Sequence, residues 1–268
     1  MAGWGARGLT IERGGRAAVA DVTLTVEPGQ IVAVVGGDGA GKTTLLRALA
    51  GAIAPTSGEV AAPALDRIGF MPTAAGVWRD LSVDENIAFV AAAHALSGEA
   101  LRERRAALLA GAGLEHATDR LARNLSGGMR QKLAFSLAML HRPELLILDE
   151  PSTGVDPVSR VDLWRMVSLA ASQGAAVVMA TTYLDEAERA HRVLVLDAGE
   201  LLLEGTPADV LASVPGHVVE SETPGDPART WRRGRRYRVW SPEEPPQGSV
   251  RVADIEDAVV AAAIAKGA

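Results

Sequence analysis

Gly36-Gly37-Asp38-Gly39-Ala40-Gly41-Lys42-Thr43-Thr44 is the stretch on which the reading of this chain turns. Before it runs the apolar, β-branched segment Ile31-Val32-Ala33-Val34-Val35. After it comes Leu45-Leu46-Arg47-Ala48-Leu49-Ala50, with Gly51 as a stop. The spacing is G-x-x-x-x-G-K-[ST] between a strand and a helix, the pattern of a phosphate-binding loop. Its glycines let backbone N–H groups turn inward with no Cβ in the way, and the helix behind adds partial positive charge at its N-terminus. The expected product is a concave polyphosphate site made by residues 36–44. Lys42 is placed to reach the β- and γ-phosphates, and the Thr43 hydroxyl to bind Mg²⁺.

Working outward, Gly8-Leu9-Thr10-Ile11 and the alternating Val22-Thr23-Leu24-Thr25-Val26 read as two strands, turning at Arg13-Gly14-Gly15-Arg16. Pro55-Thr56-Ser57-Gly58-Glu59-Val60 is a turn into a short strand, and Asp66–Met71 forms another, closed by Pro72. Ser82-Val83-Asp84-Glu85 is a capping box that opens a helix. Leu101, Leu108 and Leu109 mark a second helix, ended by Gly111 and Gly113. Residues 78–140 therefore read as a helical insertion into an α/β domain. The short unbroken apolar runs Leu145–Leu148 and Ala175–Ala180 suit parallel strands covered on both faces. Val193–Leu196 and Leu201–Leu203 read as a hairpin, and Thr206-Pro207 as a helix start. The domain so defined covers residues 1–212; residues 213–268, richer in proline and arginine, form a C-terminal extension that closes with a small helix from Ile255 to Ala265.

The whole chain sets bounds. It has 268 residues and a formal net charge of −6, which argues against a protein that holds nucleic acid by bulk charge. With no cysteine, disulfides, zinc–thiolate sites and thiol chemistry are excluded. Met1-Ala2-Gly3-Trp4-Gly5 lacks a basic start followed by an apolar core, and no apolar run reaches the ~18 residues of a membrane span. The expectation is a soluble, intracellular protein that can dock on a membrane protein.

Two further motifs carry chemistry. Leu145-Leu146-Ile147-Leu148-Asp149-Glu150 is an apolar strand ending in two carboxylates. At its tip Asp149 can hold Mg²⁺ through water, and Glu150 can orient or deprotonate an attacking water. Leu125-Ser126-Gly127-Gly128-Met129 opens a helix that runs on to just before Pro143, and its first N–H groups with the serine hydroxyl present a second anion site.

Taken in this order, the motifs resemble the nucleotide-binding subunit of an ATP-binding cassette (ABC) transporter over roughly residues 7–211. Gly36–Thr44 matches Walker A, Leu125–Met129 the signature, Leu145–Glu150 Walker B, and Pro151–Asp156 the D-loop. The resemblance implies a RecA-like P-loop NTPase core of mostly parallel sheet, an antiparallel β subdomain and the helical insertion. It also implies an ATPase using ATP and Mg²⁺, in which two subunits sandwich two ATPs, each between one subunit's P-loop and the other's signature. Partners implied are a transmembrane permease and a second nucleotide-binding domain, with the subunit cytoplasmic and peripheral on the inner face of the membrane.

Three positions depart from the family pattern. Thr73 stands where the family has a glutamine that contacts Mg²⁺ and the attacking water, and is too short to do all of this. Thr182 stands where Thr181-Thr182-Tyr183-Leu184-Asp185-Glu186-Ala187-Glu188 should carry a switch histidine, and none of the five histidines falls near that place. Arg13 takes the position of the adenine-stacking aromatic; a guanidinium plane can stack on a base. Asp38, where asparagine is commoner, weakens affinity only slightly because the loop works through backbone N–H groups. The departures and the segment Ala253–Val259 resemble the first ATPase domain of tandem-cassette exporters that work with ABC-2-type permeases.

The resulting expectation is ATP binding with slow turnover at the chain's own loop, while Ser126, Gly127 and Gly128 complete a partner's site. An asymmetric dimer with one hydrolytic site and a homodimer with two slow sites both fit. Two rival functions stay open: a soluble ABC protein outside transport, and a regulatory subunit that binds ATP without hydrolysing it. The arginines between Arg229 and Arg238 read either as a contact patch or as the solvated edge of a β-hairpin. Val77-Trp78-Arg79-Asp80-Leu81 is the better candidate for a permease contact.

Overall fold

The computed structural model describes residues 3–74, 76–245 and 254–267. β1 (Trp4–Arg13) and β2 (Arg16–Val26) lead to β3 (Ile31–Val35), the phosphate loop and α1 (Lys42–Leu49). β4 (Ser57–Ala61) and β5 (Ile68–Met71) precede the helices α2 (Val83–Ala93), α3 (Gly98–Ala112) and α4 (Gly127–Met139). Then β6 (Leu145–Asp149), α5 (Pro157–Ser172), β7 (Ala176–Ala180) and the single turn α6 (Leu184–Ala187) follow. β8 (Arg192–Asp197), β9 (Glu200–Gly205) and α7 (Pro207–Ala212) close the main body. The C-terminal part holds β10 (His217–Ser221), β11 (Thr230–Arg233), β12 (Arg236–Ser241) and α8 (Ile255–Gly267).

The central sheet runs β5-β6-β7-β3-β8-β9, parallel except for the β8–β9 hairpin. β3, β7 and the Leu145–Leu148 run of β6 are apolar and buried throughout because both faces of the sheet are covered there. Ala33, Val35, Leu146, Leu148, Val177 and Met179 face the core shared with the helical insertion. Val32, Val34, Leu145, Ile147, Val178 and Ala180 face α1 and the antiparallel sheet β2-β1-β4. At the C-terminal edge of the parallel strands the phosphate loop, Asp149 and Thr181 lie side by side, since Asp149 is in register with Ala180 and the Thr181 amide donates to the Val34 carbonyl at 3.1 Å. That is where an open α/β sheet binds its ligand.

The helical insertion begins as its residues dictate. Ser82 and Glu85 form both halves of the capping box, at 3.1 and 2.7 Å. Gly111 lies inside α3 rather than ending it; the stop is Gly113, left-handed at φ 65. The extension builds the small sheet β10-β12-β11, with Trp240 buried and its indole N–H donating to the Pro215 carbonyl at 2.6 Å. Through Ile255 and Ala258, α8 joins the main core. Ala253, the first residue of the closing segment, falls outside the described residues.

Three arginines of the 229–238 cluster are held within the extension. Arg233 pairs with Asp254, Glu256 and Asp257, while Arg236 and Arg238 pair with Glu220.

Candidate nucleotide site

The loop from Gly36 to Gly41 folds back on the end of β3 because two of its positions tolerate no side chain. At Gly41 φ is +99, and a Cβ there would lie 2.4 Å from the Ala18 carbonyl oxygen. Behind it α1 has no side-chain cap, so its first N–H groups are left to the loop's concavity. Asp38, Gly39, Ala40, Gly41, Lys42, Thr43 and Thr44 line a cavity of about 210 Å³ together with Ala18 and Glu150.

Lys42 is 5% exposed, so its ammonium must be satisfied from inside. Its Nζ donates to the carbonyls of Gly36 and Gly37 at 2.8 and 3.1 Å and lies 3.7 Å from Glu150 Oε1. Glu150 itself adopts φ 53, a left-handed conformation that costs a non-glycine residue roughly 1 kcal/mol. Three contacts hold it there: the pair with Lys42, its amide donating to the Ala180 carbonyl at 3.0 Å, and the Thr153 hydroxyl donating to Oε2 at 3.1 Å. A strained carboxylate pinned at the cavity wall is the kind of feature found where chemistry happens.

Asp149, 1% exposed, receives two hydroxyls. Thr43 Oγ1 donates to Oδ1 at 3.1 Å, and Thr73 Oγ1 donates to Oδ2 at 2.7 Å. The residue noted above only as a short replacement for glutamine thus reaches the same carboxylate as the loop's threonine. Nothing in the sequence around Thr73 signals this contact, because it depends on the β5–β6 register that sets Met71 beside Leu148. The donor set of hydroxyl and carboxylate oxygens fits Mg²⁺, which keeps several waters and completes its shell with phosphate oxygens. Among the described residues no cluster of three or more His, Asp or Glu could hold a metal ion alone.

The remaining candidates lie elsewhere. Arg13 sits exposed at the β1–β2 turn and does not line the cavity; Ala18, on β2, does. Leu125 is buried and Ser126 is exposed as the N-cap of α4, accepting the Met129 amide at 3.2 Å. Gly128 is required by contact: a Cβ there would lie 2.3 Å from Ser159 Oγ, on the first turn of α5. No signature residue lines the phosphate cavity. Thr182 is exposed at the turn beyond β7.

Fold and site together define a nucleotide-binding ATPase cassette of the P-loop kind. Residues 19–153 match the family model described as ABC transporter. The chain is 42% identical over 209 residues to the probable multidrug ABC transporter ATP-binding protein YbhF of Escherichia coli K12, covering 74% of this chain and 36% of that protein. It is 37% identical over 211 residues to the Nod factor export ATP-binding protein I of Cupriavidus metallidurans, covering 75% of this chain and 70% of that one. The dimeric structure of MJ0796, a bacterial ABC transporter cassette, superposes with a TM-score of 0.68 at 25% identity, over 76% of this chain and 98% of that one. The chain belongs to the ABC transporter family, as one of its ATP-binding cassettes. It spans about a third of the length of YbhF.

Proposed function

We propose that this chain powers an export complex by binding ATP on its own loop, hydrolysing it slowly, and lending its Ser126–Gly128 segment to the nucleotide of a second cassette. The observation that carries this reading is the difference between the two anion-binding helix starts: α1 opens into a cavity with Lys42 and Glu150, whereas Ser126 at the start of α4 is exposed and none of Leu125–Met129 lines that cavity. One triphosphate cannot be enclosed by this chain alone. The names of two relatives, a probable multidrug ABC transporter protein and a Nod factor export protein, favour export over import.

The geometry supports a role for each of the site's residues. Lys42 and the amides of residues 37–44 bind and orient the phosphates. Thr43 and Asp149 would hold Mg²⁺, which neutralises charge on the phosphate oxygens when bound. Glu150 accepts the proton of the attacking water. Thr182 offers a hydroxyl where an imidazole would stabilise the leaving phosphoryl group better, and this is the reason for slow turnover.

The membrane partner is an ABC-2-type permease, with the chain peripheral on the cytoplasmic face; among the described residues no helix is long and apolar enough to cross a membrane. Trp78 and Phe89, 43% and 51% exposed with ring centres 4.2 Å apart, form the docking patch. Buried Asn86 holds that patch in shape: its amide donates to the Trp78 carbonyl at 3.0 Å and its Oδ1 accepts the Trp78 amide at 2.8 Å.

Steady-state ATPase measurement on the purified chain tests the reading. Bound Mg-ATP with turnover that is slow and rises with chain concentration is expected. Several turnovers per second, independent of concentration, would overturn it.

A further inference from the structure

The first turn of α5 touches two parts of the molecule at once, and one of its residues is unusually occupied. Arg160 Nη2 donates to both carboxylate oxygens of Asp185, at 2.8 and 3.0 Å. Its Nε lies 3.5 Å from Glu186 Oε1, and its guanidinium carbon sits 3.7 Å from the centre of the Tyr183 ring. Glu186, 4% exposed, accepts the Thr181 hydroxyl at 2.6 Å, and the Tyr183 amide donates to that same Thr181 oxygen at 3.0 Å. One guanidinium therefore ties down Tyr183, Asp185 and Glu186 together.

The segment it holds cannot hold itself. α6 is four residues long, and isolated helices shorter than about 12–15 residues are marginal in water. Two adjacent carboxylates, one buried, would repel each other without the cation between them. At the tip of this segment is Thr182, two residues beyond Ala180, whose carbonyl accepts the Glu150 amide. The neighbouring residue on α5, Ser159, occupies the space beside Gly128 at the start of α4. Residues 159 and 160 thus brace the signature helix with one side chain and the Thr182 turn with the next.

We propose that Arg160 is a positioning residue that fixes the Thr182 turn beside Glu150 and links it mechanically to the start of the signature helix. The two surfaces that face ATP, the chain's own and the one offered to a partner, then move as one unit. This deepens the functional reading above and rests on it for the identity of the ligand. Lysine could supply the charge but neither a flat guanidinium over the Tyr183 ring nor a donor group that reaches both Asp185 oxygens while lying close to Glu186.

Hydrogen exchange and steady-state kinetics on the full chain test this with R160A, R160Q and R160K. In R160A, amides 181–187 and 127–130 should exchange about tenfold faster, the loss expected for a charge-assisted bond. Turnover should fall about five- to twentyfold while KM for Mg-ATP moves less than about twofold, the pattern of lost positioning rather than lost binding. R160K should recover part of both effects, and R160Q replaces R160A if that variant melts below the assay temperature. Unchanged exchange at 181–187 overturns the clamp; faster exchange there with 127–130 unchanged overturns the link. A parallel rise in KM assigns Arg160 to binding and also overturns the proposal. If the wild-type chain bound no Mg-ATP, the functional reading would fail, and the exchange measurement would still decide the clamp.

Discussion

α1 and α4 both start from glycines of the family motifs, and they are prepared in different ways. α1 begins without a side-chain cap, and around it Lys42, Thr43, Asp149 and Glu150 are joined by ion-pair and hydrogen-bond contacts. α4 begins with a cap already in place, Ser126 on the Met129 amide, and with Gly128 pressed against Ser159. The first start is equipped for chemistry; the second is a rigid end whose shape is finished but whose ligand must be brought to it. A chain with one of each needs another cassette to use both, and a change at either start should give a different kind of defect.

The largest effect should come from the chemical end. Replacing Glu150 by glutamine keeps the shape and removes the base, so turnover should fall about 10²- to 10³-fold with Mg-ATP still bound. Unchanged turnover would mean that the chain only binds nucleotide in a regulatory role. Lys42→Ala should weaken ATP binding at least about tenfold, because it removes a charged donor from the phosphates. Ser126→Ala should leave that affinity within about twofold and cost about 1 kcal/mol of stability through the lost cap. Equal losses of affinity in both variants, read with a fluorescent nucleotide, would erase the distinction between the two helix starts. Gly128→Ala should destabilise the fold by about 1–3 kcal/mol by overpacking, and adding Ser159→Gly should restore most of it. A Gly128→Ala chain with wild-type stability would break the claim that α4 is wedged against α5.

Much of this was legible from residues alone. The strand–loop–helix around Lys42, the Ser82–Glu85 box, the β8–β9 hairpin and the helix from Ile255 follow from local rules about glycine, capping and apolar runs. What local rules could not supply are contacts set by register and packing. Thr73 on Asp149, Ala18 in the cavity wall and Arg160 on Tyr183 each join residues far apart in the chain. Gly111 misled because a glycine within a helix and one that ends it look alike until the left-handed residue, here Gly113, is seen. The arginine cluster lies on the β11–β12 hairpin, one of the two readings its composition left open, with Arg229, Arg232, Arg235 and Arg236 exposed. Composition could not show that Arg233, Arg236 and Arg238 face carboxylates brought close by the folding of α8 and β10.

The smallest predicted effect concerns the joint between the two regions. His94, at the C-terminal end of α2, stacks on His141, just past α4, with ring centres 3.9 Å apart. The His141 ring N–H (Nε2) donates to the Ile68 carbonyl on β5 at 3.1 Å, so this stack fastens the helical insertion to the strand that leads to Thr73. Burial above all, then His94 and Arg104, holds the His141 pKa below its ordinary value, against the Ile68 bond and Asp66, which raise it. A depressed pKa means that the folded chain takes up its proton later than the unfolded chain as the solution is acidified. The stability this group contributes is therefore complete above the unfolded value of about 6.5 and drains away as pH falls toward the lower folded value. Unfolding free energies from urea titrations at about pH 7.5 and about pH 5.5 should differ by less than the limit for one proton, about 1.4 kcal/mol per pH unit. His141→Gln can still donate to Ile68 but cannot gain charge, so its slope across that window should be flatter. Identical slopes would show that the joint is indifferent to protonation, and that acid loosens the chain, if at all, at the carboxylates around α1 and α5 instead.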